Sequence, residues 1–598
     1  MKLYAFWGSL LLPVFLSAQN NVDLSNIKGQ LTEKLAAKPL EINGGVQANS
    51  VYTLSSTPAP QPFNYVLSGN LLLKVYGHEM PFTFTYSNRK FNNTNPSFQF
   101  NRTAFNPKYK NWQGHFGNVS MNFSPYTLAG FQFTGAGLSY LGSKWQGQIF
   151  YGRFLKAVAE DTLTRRTPSF QRVGTGFKGL YTNKQWKFGT SIFYAQENAF
   201  SIAQPVLNPT IRPMENVAAS LNLSLPISSK INLETEMATS ILTRDVLKTE
   251  PISNNPLLLK KVLKSNNVST AIYNAIKASL NYTISKNDMI GVSYERVDPN
   301  YQTLGGYFFT NDFENFTINA QHKGKLNATL STGLQRDDIL NKKQRNSGRM
   351  VVSSNIGFKI SEQTNVSFTY SNFQSYAFLR TGFERVNRIT PFDNLDTLGY
   401  SQLSQNMTLS IQHILHQDSL RVQQWVGNVT HATTDNKKGN LAQTVGGNTL
   451  LTALVNYNHT LVKETLTIGA GVNYALNHLD TNLVTTVGPT LSIAKQLFNK
   501  QLSTNVAIAY NTTDKPSSQI WNFNLSASST LNKVHNLTFN TSFQKRSAPN
   551  AWTWTATLGY AYLFQSYAPK IKFLEFKTSK KKVELPKKAS EKNQNNLN

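Results

Sequence analysis

The stretch AWTWTATLGYAYLF, residues 551–564, alternates with a period of two, and that period leaves the chain few choices. Trp552, Trp554, Ala556, Leu558, Tyr560, Tyr562 and Phe564 fall on one side of an extended strand. Thr553, Thr555, Thr557, Gly559, Ala561 and Leu563 fall on the other. Successive side chains of a strand point to opposite faces, so one side is apolar and the other small or polar. The apolar side carries aromatics at both ends and smaller residues in its middle. At about 3.3 Å per residue the run from Trp552 to Phe564 covers about 40 Å. Tilted by about 40° it rises about 30 Å, which matches an apolar band of about 25 Å with aromatic girdles at its rims.

The pattern recurs along the chain. Leu466, Ile468, Ala470, Val472, Tyr474 and Leu476 alternate with Thr467, Gly469, Gly471, Asn473 and Ala475. Trp521, Phe523 and Leu525 do the same, as do Leu537, Phe539 and Phe543, then Val352, Ile356, Phe358 and Ile360, and near the first third Trp186, Phe188, Ile192 and Tyr194. No stretch shows a comparable helical period. A soluble sandwich would use shorter strands and bury the apolar face, whereas the Thr, Asn and Gly face would be costly in a dry core. In lipid every backbone N–H and C=O needs a partner, so a spanning sheet must close on itself. The sequence therefore predicts an all-β chain folded as a single large antiparallel transmembrane β-barrel of about 24 strands, within about 20 to 28. Its barrel is expected over 40–565. Gaps near 155–170, 197–214, 244–268 and 374–403 are too long for tight turns and read as loops of one barrel end. The irregular segment 89–135, with FNPKYKNW and NFSPYTLAG, is the candidate for an inward fold into the lumen.

Composition narrows the compartment. Among 598 residues there is no cysteine, which excludes disulfides and thiolate metal sites. The N-terminus MKLYAFWGSLLLPVFLSAQ reads as a signal peptide over 1–18, cut before Gln19. Residues 19–39 then form a short periplasmic segment. Residues 566–598, rich in lysine and ending in asparagines, read as a basic, disordered periplasmic tail. With an even strand number both termini are expected in the periplasm of an outer-membrane protein. The formal charge of +28 ordinarily points to nucleic acid or an anionic surface. Behind a signal peptide, nucleic acid falls away and outer-membrane lipid is the expected contact. The tail is a candidate contact for a periplasmic or membrane protein.

No catalytic, cofactor or metal constellation stands out. The Gly-x-Ser-x-Gly elbow is missing. His413 and His416, the one close histidine pair, fall on opposite faces of a regular strand. Asp312 and Glu314 would share a face and form a candidate lumen or rim polar pair, able to hold a cation or a sugar. Asp337 and Asp338 read as a loop start.

Several segments resemble a broad, poorly characterised family of Bacteroidota outer-membrane β-barrel proteins: the leader ending in SAQ, NVSMNFSPYTLAGFQFTGAGLSYL at 118–141, WQGQIFYGRF at 145–154 and YQTLGGYFFTNDFENFTI at 301–318. The resemblance implies an outer-membrane barrel and says little of its activity. Alternation starts near Leu40, so the plug of TonB-dependent transporters is expected to be missing. Phe564 is similar to the aromatic end of the signal read by the barrel-assembly machinery, the expected partner in biogenesis. Asp161-Thr162-Leu163, Asp396-Thr397-Leu398 and Asp418-Ser419-Leu420 are similar to Bacteroidota O-glycosylation tripeptides, which makes Thr162, Thr397 and Ser419 candidate acceptors. The expected function is a channel or transporter for an envelope solute, not an enzyme. The alternatives are a non-enzymatic subunit of an outer-membrane assembly or export complex and, further off, a membrane-embedded hydrolase. Intact-mass measurement of the native protein checks the tripeptides: their use predicts sugar-sized additions that Thr162→Ala, Thr397→Ala and Ser419→Ala each remove, and the bare polypeptide mass would dispose of it.

Overall fold

The computed structural model describes residues 40–567, apart from 57–60, 76–77, 89–100, 161–167, 184–185, 204–205, 207–210, 252–261, 307–309, 338, 341–347, 373–400, 438–447, 480–481 and 516. The expected leader, the segment 19–39 and all of the tail beyond Tyr567 lie outside the described residues.

The chain begins with β1 (Leu40–Ser55), β2 (Phe63–Val75) and β3 (His78–Ser87). Two short pieces follow, β4 (Arg102–Phe105) and β5 (Lys108–Tyr109), and then β6 (Trp112–Asn122), β7 (Ala129–Leu141) and β8 (Trp145–Leu155). Next come β9 (Gln171–Thr182), β10 (Lys187–Asn198), β11 (Glu215–Pro226), β12 (Ile231–Thr243) and β13 (Thr270–Thr283). The middle of the chain supplies β14 (Asp288–Val297), β15 (Phe313–His322), β16 (Leu326–Asp337), β17 (Gly348–Lys359) and β18 (Thr364–Ser371). The last third holds β19 (Ser401–Gln417), β20 (Arg421–Lys437), β21 (Asn448–Leu461), β22 (Leu466–Leu479) and β23 (Asn482–Leu497). It ends with β24 (Leu502–Asp514), β25 (Ser517–Leu531), β26 (His535–Arg546) and β27 (Ala551–Tyr567).

Apart from β4 and β5, which both pair with β6, each strand pairs antiparallel with its sequence neighbour, and β27 pairs antiparallel with β1, from Ile42↔Tyr567 to Ser55↔Thr553. The sheet is therefore closed. Pieces β4 and β5 occupy one position between β3 and β6, so 27 strand segments make 26 staves. Pro107 separates the two pieces, because proline supplies no N–H to a ladder. That break accounts for the irregular look of FNPKYKNW. Within 89–135, residues 102–122 and 129–135 lie mainly in the wall, and 123–128 turn inward.

A circular barrel of 26 staves spaced about 4.8 Å apart and tilted about 40° is about 50 Å across between backbones. Its two ends differ. The twelve connections at the end where the chain enters and leaves are four residues or fewer, while those at the other end reach 29 residues, between Ser371 and Ser401. The gaps 155–170, 197–214 and 244–268 expected from sequence fall at that second end, and 374–400 lies outside the described residues. Outward faces carry exposed large apolar side chains such as Tyr151, Leu221, Met237, Leu334, Leu491 and Leu558.

The seam contains one bulge, between Ile42 and Gly44. Gly44 sits at φ 130°, and a Cβ there would lie 2.1 Å from the Asn70 carbonyl oxygen. Only glycine tolerates that backbone and that approach. Gly44→Val is expected to cost at least about 2 kcal/mol, read as a lower urea midpoint and loss of the unheated folded band on a denaturing gel.

Candidate functional site

Two connections at the long-loop end turn into the barrel and bury side chains that loops ordinarily leave in water. The first, 123–128, reads FSPYTL. Ser124 Oγ accepts from Tyr126 N at 3.0 Å, and Phe123 N donates to Leu128 O at 2.9 Å, so the segment closes a compact turn. The second follows β14 and begins Asp-Pro-Asn, a turn signal, with Asn300 at φ 64° and Tyr301 N donating to Asp298 O at 3.1 Å. Tyr126, Leu128, Tyr301 and Leu304 retain 2%, 0%, 0% and 1% of their exposure. Burying each such side chain contributes about 2 kcal/mol.

The two segments hold each other. Leu128 and Gly305 form a parallel bridge, and Ala129 N donates to Gly305 O at 3.0 Å. Thr303 Oγ1 donates to Thr127 O at 2.6 Å, and Tyr301 Oη donates to Tyr126 O at 2.8 Å. A Cβ on Gly305 would stand 2.5 Å from Thr127 O, so this contact requires glycine.

Together they form a shelf fastened to the inner wall of β9–β14. Tyr126 Oη donates to Glu295 at 2.6 Å, and Ser124 Oγ donates to Glu236. Thr127 Oγ1 meets Ser191 Oγ at 3.0 Å, which in turn meets Ser220 Oγ at 2.8 Å. Leu304 N donates to Asn216 Oδ1 at 3.1 Å, and Ser240 Oγ donates to Gln302 O at 2.6 Å. Arg172 Nη2 pairs with Glu197 at 2.7 Å while its Nη1 donates to Leu304 O at 3.2 Å. Glu197 Oε2 also accepts from Met214 N at 3.0 Å. These contacts satisfy polar groups that would otherwise be costly at this depth.

Apolar packing completes the shelf. Phe123, Leu128 and Leu304 join Phe133, Phe150 and Phe193 of the wall in one cluster, and Tyr126 and Tyr301 join Ala275 and Val297 in another. Wall glycines make the room: a Cβ on Gly176 would lie 2.8 Å from Phe150 Cε1 and 2.9 Å from Phe123 Cε2. Burial, reinforced by the Glu295 carboxylate, pushes the Tyr126 phenol well above its ordinary range. Burial, reinforced by Glu236, does the same to Tyr301.

The wall from β16 to β27 presents a different inner face. Asn456, Thr490, Asn522, Gln544 and Thr553 lie in one cross-strand row, with Gln544 Nε2 donating to Asn522 Oδ1 at 2.9 Å. Amides and hydroxyls dominate there.

The sequence-derived residues fall as follows. Trp554, Leu558 and Tyr560 register with Phe543, Phe539 and Leu537 of β26, so the apolar residues of the closing strand, from Trp552 and Trp554 to Tyr562 and Phe564, share the face of the neighbouring apolar row. Glu314 lies on the outward side of the long-loop rim, between Arg296 at 3.5 Å and Arg336 at 3.3 Å, and accepts from Tyr294 Oη at 2.7 Å. Asp312 does not join it: at φ 61° it stands outside the strand alternation, and its Oδ1 accepts from Ile339 N at 3.0 Å. His413 and His416 share a face, because a bulge between Ile414 and His416 restores the alternation that an offset of three would break. Among the described residues no group of three or more His, Cys, Asp or Glu is placed to hold a metal. Thr162 and Thr397 lie outside the described residues. Ser419 sits in a short turn whose Asp418 is held down to about 2 by hydrogen bonds from His416 and from the backbone of Arg421 and Leu420. Sequence reasoning missed the second shelf segment and the Arg172–Glu197 pair. The available signal was the likeness of PYTLAG at 125–130 to NYQTLGG at 300–306.

The closed wall, its apolar outer face and its polar lumen define the class: an outer-membrane type of β-barrel. No protein-family model matches the chain, and no curated protein matches it in sequence. Similar solved structures include the translocation pore of the P pilus usher PapC, 10% identical over 88% of this chain and 100% of that one, TM-score 0.41. The unliganded ferric citrate transporter FecA is 9% identical over 87% of this chain and 79% of that one, TM-score 0.34. OpdK of Pseudomonas aeruginosa, solved with vanillate, is 8% identical over 66% of this chain and 98% of that one, TM-score 0.29. The class rests on the barrel's own geometry and not on any of these neighbours.

Arg172→Met strands Glu197 in the wall and is expected to destabilise by about 3–5 kcal/mol, with Arg172→Met/Glu197→Met recovering most of it, measured by urea unfolding in detergent. The raised phenols stabilise fully below the ordinary tyrosine value of about 10, and that contribution is lost as pH rises above it, because the unfolded state ionises first. Between pH 8 and pH 11 the parent is therefore expected to lose more stability than the Tyr126→Phe/Tyr301→Phe variant.

Proposed function

We propose that the protein is an outer-membrane channel or transporter that passes a polar solute along the part of its lumen the shelf leaves uncovered. The observation that carries this reading is the amide- and hydroxyl-lined inner wall of β16–β27 in a barrel about 50 Å across. Such a face is stable beside water and costly in a dry interior. The shelf narrows the passage from one side and is anchored well enough to act as a fixed constriction.

Both termini face the periplasm in this reading. Support comes from the turns: barrels of this class keep short turns on the periplasmic side and long loops outside, and here the termini share the short-turn end. Insertion by the barrel-assembly machinery belongs to the same reading.

Purified protein in a planar bilayer is expected to give discrete conductance steps. A variant with 299–306 replaced by a short glycine linker should give larger ones, and silence from both would overturn the channel. The chain has no cysteine, so single introduced thiols report orientation cleanly. In intact cells a membrane-impermeant maleimide is expected to label Lys248→Cys and to spare Lys286→Cys; the reverse pattern would invert the assignment.

A further inference from the structure

Lysines ring the short-turn end of the barrel. Among the described residues, lysines stand in eight of its twelve turns, and its turns hold nine lysines against three carboxylates, Glu362, Asp418 and Glu464. Two of those carboxylates are already engaged: Glu362 with Lys359 at 2.6 Å, Asp418 with His416 at 2.7 Å. Lys144, Lys230, Lys286, Lys463, Lys500 and Lys533 are all exposed and come from different turns, so the charge encircles the rim.

Three of the turn lysines also stand where the backbone disfavours a side chain. Lys110, Lys500 and Lys533 adopt left-handed backbone, at φ 52°, 68° and 60°. Side chains with a Cβ are disfavoured there. In the β25–β26 turn, Asn532 at φ 52° precedes Lys533, where a two-residue hairpin turn most favours Asn-Gly. The charge is kept at positions where glycine would fold more easily.

Just inside this ring the outward face carries an aromatic belt. Trp112 packs on Tyr140 at 4.9 Å, Trp145 on Tyr181 at 4.4 Å, and Trp425 on Tyr457 at 5.2 Å. Aromatic rings settle at the headgroup level of a bilayer, and lysine stems reach past them to set their ammonium groups among the headgroups.

We propose that the short-turn rim is a contact surface for anionic phospholipid headgroups in the leaflet it faces. A ring around the whole circumference suits an annulus of lipid better than a protein partner, which would concentrate charge in one footprint. The inference rests on the bilayer-spanning reading above and adds to it a preference for lipid charge.

The test uses the full chain in vesicles of phosphatidylcholine mixed with either brominated phosphatidylglycerol or brominated phosphatidylcholine, with tryptophan quenching as the readout. Trp112, Trp145, Trp186 and Trp425 report from this rim. The anionic lipid is expected to compete about threefold better at low salt, and the preference should vanish in concentrated salt. Lys230→Gln, Lys286→Gln, Lys500→Gln and Lys533→Gln combined should bring the ratio to about one, and the four arginine equivalents should retain it. Lys533→Gly is expected to raise the thermal midpoint while lowering the preference, a split that a purely structural lysine would not produce. Equal quenching by both lipids overturns this inference alone. No quenching by either overturns the bilayer reading with it.

Discussion

Backbone hydrogen bonding is the constraint on which everything else here depends. A strand in lipid cannot leave its N–H and C=O groups unpaired, and an open sheet always has two such edges. The chain removes both by pairing its first strand with its last across a register that runs from Ile42 to Ser55. Once that seam closes, each strand is free to give one face to lipid and the other to water. The period-two pattern is the consequence, and so is the division of residue types, with Trp, Leu and Phe outside and Asn, Thr, Ser and Gly inside. The single irregularity of the seam is absorbed by Gly44, the residue that can take its backbone angle.

Inside that envelope the lumen is not uniform. The stretch of wall from β9 to β14 is covered by two segments that come from separate parts of the chain, since Thr127 and Thr303 meet across 176 residues of sequence. Their burial follows rules of a soluble core: Leu128 and Leu304 among phenylalanines, tyrosine hydroxyls on carboxylates, and an arginine paired with Glu197. The protein thus combines two interiors, one dry and packed, the other lined for water. The second is where passage is expected, and the first sets how wide it is.

The alternation of AWTWTATLGYAYLF made the closing strand legible, and the same reading applied along the chain brought out the barrel and, to within two, its stave number. Loop asymmetry was legible too, because a long interruption of a period-two pattern is visible without any partner. What escaped depends on backbone detail or distance. An extra residue after Ile414 reversed the face expected for His416, and the left-handed Asp312 parted from Glu314. Neither conformation has a local sequence mark. The shelf was half visible: NFSPYTLAG stood out as irregular, while its counterpart after Pro299 entered only as part of a family resemblance. Arg172 and Glu197 are cross-strand neighbours whose pairing only register reveals.

The one-sided shelf also has a mechanical meaning. From β9 to β14 the wall is doubled, its staves tied together through Ser191, Asn216, Ser240 and Glu295 to segments that themselves cohere. Among the described residues, the wall from β16 onward is a single sheet, with its ladder to resist bending. A tube reinforced along one flank flexes about that flank. Elastic breathing of this barrel is therefore expected on its thin side, which is the same side that carries the amide- and hydroxyl-lined lumen.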